Sequence, residues 1–268
     1  MTFLTEKISI ALQQIDLLAT TNKMKAIEAR DHNPMGISVR PFGHAVAYSS
    51  IKMPGPSFNV VKGWTDEDRY LLGDILTHYK DLQIPVRFEL SPATVTPATL
   101  SVIGSAGLQQ TGFHTVLYMS GKMPKMDSFD NGSAFEIKEV IKDIDFSTYA
   151  SIYTEGFSMP SYLTDEVMEN NKCLDPSHWH LYIIYDKTVP AGVAAMYLNG
   201  VHAYLSAATI AKPYRNRGMH SYLIKHRLQA AIDHGCTLIV SQAAYNSTSM
   251  RNMLKSGMQI AYNSFTWG

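Results

Sequence analysis

The chain has 268 residues, 46% hydrophobic and 17% charged, with 23 basic and 23 acidic side chains. That length supports one large domain or two of ordinary size around a real core, and the composition excludes collagen-like, coiled-coil and disordered chains. No uncharged apolar run is long enough to cross a bilayer, and two cysteines, Cys173 and Cys236, are too few for a disulfide framework.

The first fifteen residues mix Glu6, Lys7, Gln13 and Gln14 with apolar side chains. They lack a basic start, an unbroken apolar stretch and a cleavage site, so no signal peptide is expected and the location predicted is cytoplasmic. Ile8, Leu12, Ile15 and Ala19 recur at helical spacing, which predicts a helix to about Arg30. A turn-rich stretch, His32 to Gly36, precedes alternating apolar residues from Gly43 to Ile51; Met53-Pro54-Gly55-Pro56 is a loop. Phe58 to Val61 reads as a strand. Thr65 with Asp68 forms a capping box for a helix through Asp81. Pro85 to Leu90 is strand-like, Pro97 to Ala106 helical and Phe113 to Met119 strand-like.

The Gly- and Pro-punctuated stretch from Ser120 to Ser133 predicts a domain boundary. The division expected is 1–124, a linker at 125–133 and a second domain at 134–268. The second domain opens with a strand, Ala134 to Ile141, and two helical segments around Asp145–Gly156 and Leu163–Asn171. Strands follow at Trp179–Tyr185, Ala191–Leu198 and Val201–Ile210, the last two joined by the hairpin signal Asn199-Gly200. A helix over Gly218–His234, a strand at Leu238–Ser241, a helix over Thr248–Ser256 and a strand at Met258–Trp267 complete the pattern. Strand–helix–strand–helix–strand closes both halves, predicting an α/β chain that permits two copies of one fold.

Charge is uneven along this pattern. Residues 187–268 hold eight cations and one acid, Asp233, so the rest carries a matching acidic excess; Asp127 to Asp175 alone contains eleven acids and three lysines. The basic segment suits an anion, and the acidic belt suits a cationic partner. Nucleic acid is not expected, because the cations are not interleaved with aromatics along a groove-sized stretch.

The most informative residues run from Leu205 to His220. A strand enters a cationic turn, Lys212-Pro213-Tyr214-Arg215-Asn216-Arg217-Gly218, and a helix begins at the glycine. The first amides of that helix have no intrahelical acceptor, Gly218 permits close approach, and Arg215 and Arg217 flank the turn. Together they suit a phosphate or pyrophosphate. Arg-x-x-Gly between strand and helix resembles the acetyl-CoA loop of the GNAT N-acetyltransferases, whose pattern is Gln/Arg-x-x-Gly-x-Gly/Ala. Asn246 to Met258 looks like the helix and turn that close the same fold. The resemblance spans 134–268. Residues 58–113 resemble, more faintly, the degenerate first half of tandem-GNAT proteins, without the Arg-x-x-Gly turn. The fold implied is two GNAT-like domains, each a mixed, mostly antiparallel sheet flanked by helices.

That resemblance implies further expectations. Ala208, Thr209 and Ile210 would pair with the pantetheine arm of acetyl-CoA as their strand splays from its neighbour. The amides of Asn216, Arg217, Gly218, Met219, His220 and Ser221 would hold the pyrophosphate, and Asn246 and Asn252 would lie near pantetheine and thioester. An amine would attack the acetyl carbonyl directly, with a backbone N–H polarising the oxyanion. The usual Gly or Ala of the loop is His220 here, the frequent general-base Glu is Tyr204, and the usual general-acid Tyr is Met253. Proton transfer is therefore assigned to Tyr204, His202 or solvent, with cross-strand packing as the other role open to both side chains. Tyr153, Glu155 and Phe157 are the acceptor-side expectation, at the junction that often forms the acceptor wall in the family.

The function expected is acetyl transfer from acetyl-CoA to a primary amine, that of a small molecule or of a protein N-terminus or lysine, and the acidic belt adds the expectation of a cationic acceptor. A non-catalytic acyl-CoA sensor is the alternative, and the first domain offers a surface for homodimerisation or partner docking. No metal is expected: Cys173, His178 and His180 lack a fourth ligand. Neither Gly-x-Ser-x-Gly nor Gly-x-Gly-x-x-Gly occurs.

Overall fold

The computed structural model describes residues 4–53, 55, 57–121 and 135–268. The expected linker, 125–133, lies outside the described residues. Thr5 accepts the Ile8 amide and opens α1 (Glu6–Glu28), whose apolar side inserts Leu12, Ile15, Ala19, Met24 and Ile27 into the protein. Leu12 and Ile15 pack on Val116, Tyr118, Leu238 and Val240, whereas Met24 and Ile27 pack on Ile37, Tyr48 and Val60. The helix thus lies across the seam between the two halves of the chain.

β1 (Ile37–Phe42) and β2 (Ala45–Ser50) form a hairpin around Gly43, whose φ of 64° suits a residue without a Cβ. β1 has no clear signal in the sequence because Pro41 interrupts it. As an edge strand it needs no proline amide for a further ladder. After β3 (Val60–Lys62), the Thr65 amide donates to Asp68 Oδ2 at 2.9 Å, as the capping box predicts. The helix begins there as a 3-10 turn, Asp66–Leu71, and continues as α2 (Leu72–Asp81). β4 (Phe88–Leu90), α3 (Pro97–Ser105) and β5 (Gln110–Ser120) complete the first half.

The second half runs β6 (Phe135–Glu139), α4 (Asp143–Gly156), α5 (Thr164–Lys172), β7 (Trp179–Asp186), β8 (Val189–Asn199), β9 (His202–Ile210), α6 (Met219–Asp233), β10 (Leu238–Ala244), α7 (Thr248–Lys255) and β11 (Gln259–Trp267). These elements follow the predicted order, and the class is α/β with mixed strand directions.

Among the described residues eleven strands lie in one sheet, ordered β1-β2-β3-β4-β11-β5-β10-β9-β8-β7-β6. Two strand pairs are parallel, β3 with β4 and β9 with β10; the other neighbours are antiparallel. β5 of the first half inserts between β10 and β11, and β11 of the second half inserts between β5 and β4. Each half thereby completes the other. Helices α6 and α7 cover one face of the second half through Leu223, Ile224, Leu228, Met250 and Met253. Helices α1 and α4 cover the other.

Candidate functional site

β9 and β10 are paired only from His202–Leu238 to Leu205–Ser241. Beyond that point β9 stays bonded to β8 through Ala208, Thr209 and Ile210, while β10 stays bonded to β5 through Gln242, Ala243 and Ala244. The facing edges of the two strands are free of each other, so the sheet opens into a cleft at 206–210. A register shift between Ala194 and Met196 on β8, opposite 205–208 of β9, marks a bulge at its root. Arg227 of α6 is fully buried beneath it. Its Nη1 donates to Ala195 O at 2.9 Å and Ser206 O at 3.2 Å, and its Nε donates to Leu223 O. Burial lowers its pKa to about 10, against the pull of Tyr149 and Tyr182. The sequence did not single out Arg227, although a cation four residues from both Leu223 and Ala231, on the apolar face, is a readable anomaly.

The cleft leads into the cationic turn. A 3-10 turn, Lys212–Tyr214, is followed by Arg215, whose Nε donates to Ile210 O at 2.9 Å and ties the turn to the strand end. Asn216 and Gly218 both have positive φ, 62° and 85°. A Cβ at Gly218 would meet nothing within 4 Å, so the main chain there faces open space. Tyr222 donates to Gly218 O at 3.0 Å, which leaves the amides of Met219, His220 and Ser221 without an acceptor inside the helix. Met219 is buried and anchors the turn. Arg217 pairs with Asp186 Oδ2 at 2.7 Å, a partner not anticipated from sequence.

The His220 side chain turns to α7, where Asn252 Nδ2 lies 3.2 Å from its Nδ1. Burial, then the Arg227 charge, lowers its pKa to about 4, so the ring is neutral. The Asn246 carbonyls, main-chain and side-chain, accept from Arg251 Nη1 at 2.5 and 3.1 Å. Met253 is buried in the core against α6.

The C-terminal end of α4 presses on the cleft strand at Gly156, where a Cβ would come within 2.4 Å of Thr209 Cγ2 and Oγ1. Phe157 is 43% exposed beside that contact, and the Tyr153 ring lies tilted against it with ring centroids 4.6 Å apart. Glu155 is exposed on the same turn. The structure therefore brings Tyr153, Phe157 and Thr209 together at the cleft. Tyr204 projects from the root toward α1, where burial, then the Asp16 charge, holds its pKa well above 10. His202 does not join this group: it begins β9, four residues and about 13 Å from the first unpaired residue.

Cys173, His178 and His180 do not converge. Cys173 donates to Asn170 O, His178 Nδ1 faces Leu198 O, and His180 Nδ1 meets Glu139 Oε1 at 2.7 Å. Among the described residues no three His, Cys, Asp or Glu side chains are grouped to hold a metal. Among them, too, no helix is long and apolar enough to cross a membrane.

Residues 146–258, which include the open strand pair and the Arg-x-x-Gly turn, match the model of the acetyltransferase (GNAT) family. These residues form a GNAT acetyltransferase domain. The GNAT fold extends over both halves. A GCN5-related N-acetyltransferase from Kribbella flavida superposes with a TM-score of 0.69 at 12% identity, over 97% of this chain and 95% of that one. A tandem GNAT protein from the clavulanic acid biosynthesis pathway gives 0.63 at 10% identity, over 97% and 93%. A GCN5-related N-acetyltransferase from Sphaerobacter thermophilus gives 0.59 at 13% identity, over 84% and 79%. No curated protein matches the sequence significantly.

Proposed function

We propose that this GNAT chain transfers an acetyl group from acetyl-CoA to the primary amine of a small, cationic acceptor, with both substrates bound together. The carrying observation is the unpaired edge of β9 at 206–210 leading straight to the uncapped amides behind Gly218. Acetyl-CoA supplies the activated acyl group. In this reading Ala208, Thr209 and Ile210 offer main-chain groups to the pantetheine arm. The Asn216–Ser221 amides hold the pyrophosphate, with Arg215 and Arg217 beside them. Asn246 and Asn252 line the α7 side. Tyr153, Glu155 and Phe157 form the acceptor wall, and the acidic excess of 135–175 draws a cation toward it. Tyr204 relays the proton that the amine gives up. Holding two reactants in register contributes much of the rate enhancement in such direct transfers.

The division into GNAT-like units at 1–124 and 134–268 is part of the same reading. It is supported by the single parallel strand pair in each half. The first unit has an acidic turn, Asp66-Glu67-Asp68, where the second has its cationic one, so only the second is assigned acetyl-CoA. The first unit is left to docking, including docking of a second copy.

Calorimetric titration with acetyl-CoA tests the placement. Gly218→Asp puts a carboxylate where phosphate belongs, and affinity is expected to fall at least ~tenfold, about 1.4 kcal/mol. Unchanged affinity in the folded variant refutes the site. The second reading, a non-catalytic acyl-CoA sensor, is favoured by the buried Met253, 4% exposed, at the general-acid position. Binding without transfer to any of a panel of polyamines, aminoglycosides and amino acids would establish it over the first.

A further inference from the structure

Where the cleft closes, its two flanking side chains lie beside the same buried group. Tyr204 precedes the last β9–β10 pair and Gln242 follows it. Gln242 Nε2 donates to Asp16 Oδ2 at 3.3 Å and to Glu89 Oε1 at 3.1 Å. Tyr204 packs on α1 against the cluster of Leu12 and Ile15, beside Asp16; burial, helped by the Asp16 charge, raises the tyrosine's pKa. Lys62 Nζ bridges the two acids, 2.7 Å from Asp16 Oδ2 and 3.0 Å from Glu89 Oε2. Asp16, Lys62 and Glu89 come from α1, β3 and β4 of the first half; Tyr204 and Gln242 come from the second. The cluster borders a small cavity between the halves, about 20 Å³ and lined also by Gln13, Ser91 and Tyr262. That is room for one water. Asp16 Oδ2 takes the bonds from Lys62 and Gln242, while Asp16 Oδ1 is buried without a hydrogen-bond partner.

We propose that Asp16 is a positioning residue for the transfer, the proton sink that the first half supplies to the second through Tyr204. The inference rests on the acetyl transfer proposed above. A ligand laid along the free edge of β9 stops at the Leu205–Ser241 closure, beside Tyr204 and Gln242. The acceptor ammonium gives one proton to Tyr204 Oη as the tyrosine's own proton passes to Asp16, so the tyrosine stays neutral. The freed nitrogen lone pair forms the C–N bond to the acetyl carbonyl, the C–S bond breaks, and the departing sulfur takes the second amine proton as a thiol. The proton left on Asp16 returns to solvent. Two carboxylates facing one ammonium suit this role: burial pushes Asp16 up, against the pull of Lys62, while Lys62 overcomes burial to hold Glu89 down. The two carboxylates in turn hold Lys62 charged against its own burial. Tyr48 and Tyr262 also face Asp16, and His114 faces Glu89.

The test is the pH profile of kcat with acetyl-CoA and the first amine of a spermidine, kanamycin and L-lysine series that turns over. Asp16→Asn is expected to lower kcat by about 10²-fold, to abolish the acid limb of the profile and to leave acetyl-CoA affinity unchanged. Asp16→Glu restores part of the rate, and adding Tyr204→Phe to Asp16→Asn costs no more than either alone. An unchanged profile in Asp16→Asn, or losses that multiply in the double variant, overturns the inference while wild-type turnover still upholds the transfer reading. Wild-type protein that binds acetyl-CoA and acetylates none of the three amines overturns both.

Discussion

Arg227 Nη1 lies 2.9 Å from the carbonyl oxygen of Ala195, the residue at the register shift between β8 and β9. The same nitrogen takes in Ser206 O, so one buried guanidinium holds the two carbonyls that the bulge removes from the ladder. Arg227→Met leaves both without a donor, at a cost of about 1–3 kcal/mol each, partly offset by removing a desolvated charge. Lower thermal stability and weaker acetyl-CoA binding are expected together, because the bulge sets where β9 leaves β10. Melting curves and calorimetry on the same variant check this, and wild-type values in both would count against it.

Much of this geometry was written in local pattern. Ile224, Leu228 and Ala231 announce α6, and the Arg215–Gly218 spacing between strand and helix announces the turn. The strand exchange was not legible: alternation in β5 and β11 tells which side chains face the core and nothing about which strand lies alongside. Asp16, Lys62, Glu89 and Gln242 meet across as many as 226 residues of sequence. Each alone reads as an ordinary surface polar residue on its helix or strand. Arg227 is the intermediate case. Its place in an apolar stripe was visible, but the bulge that explains it exists only once two strands pair.

Gly156 sets how closely α4 approaches the cleft. Gly156→Ala would drive a methyl to 2.4 Å from Thr209 Cγ2 and Oγ1. Overpacking of this kind costs about 1–3 kcal/mol, and here it displaces a strand assigned to the pantetheine arm. Acetyl-CoA affinity should therefore drop along with stability. Thr209→Ala removes the two nearest crowding atoms and leaves Thr209 Cβ at 2.9 Å, so the double variant should recover part of each loss. A double-mutant cycle with no coupling between the two sites would sink this account.

His202 offers a control on the proton path. It begins β9 beside the Asn199–His202 pair, at the closed end of the β9–β10 ladder. No element carries it toward the free edge. His202→Ala should leave kcat and its pH profile as they are in wild type, measured with the same amine used for Asp16→Asn. A lost acid limb in this variant would return the base to His202 and remove it from the seam.

His220 makes stability depend on pH. The imidazole of the unfolded chain takes its proton near 6.5, whereas burial and the Arg227 charge keep the folded one neutral to about 4. Between those values the unfolded state binds more protons, so this group costs stability as pH falls from about 6.5 toward 4 and has no effect above that window. At 1.36 kcal/mol per unit the full effect is at most about 3 kcal/mol. His220→Gln keeps an acceptor for Asn252 and removes the titration. Denaturant unfolding of both proteins at about pH 7 and about pH 4.5 isolates the difference: the wild type should lose more stability on acidification than the variant. Parallel losses would mean that the ring is reached by solvent and protonates in the folded state, and the tight packing of α6 on α7 at Asn252 would have to be given up.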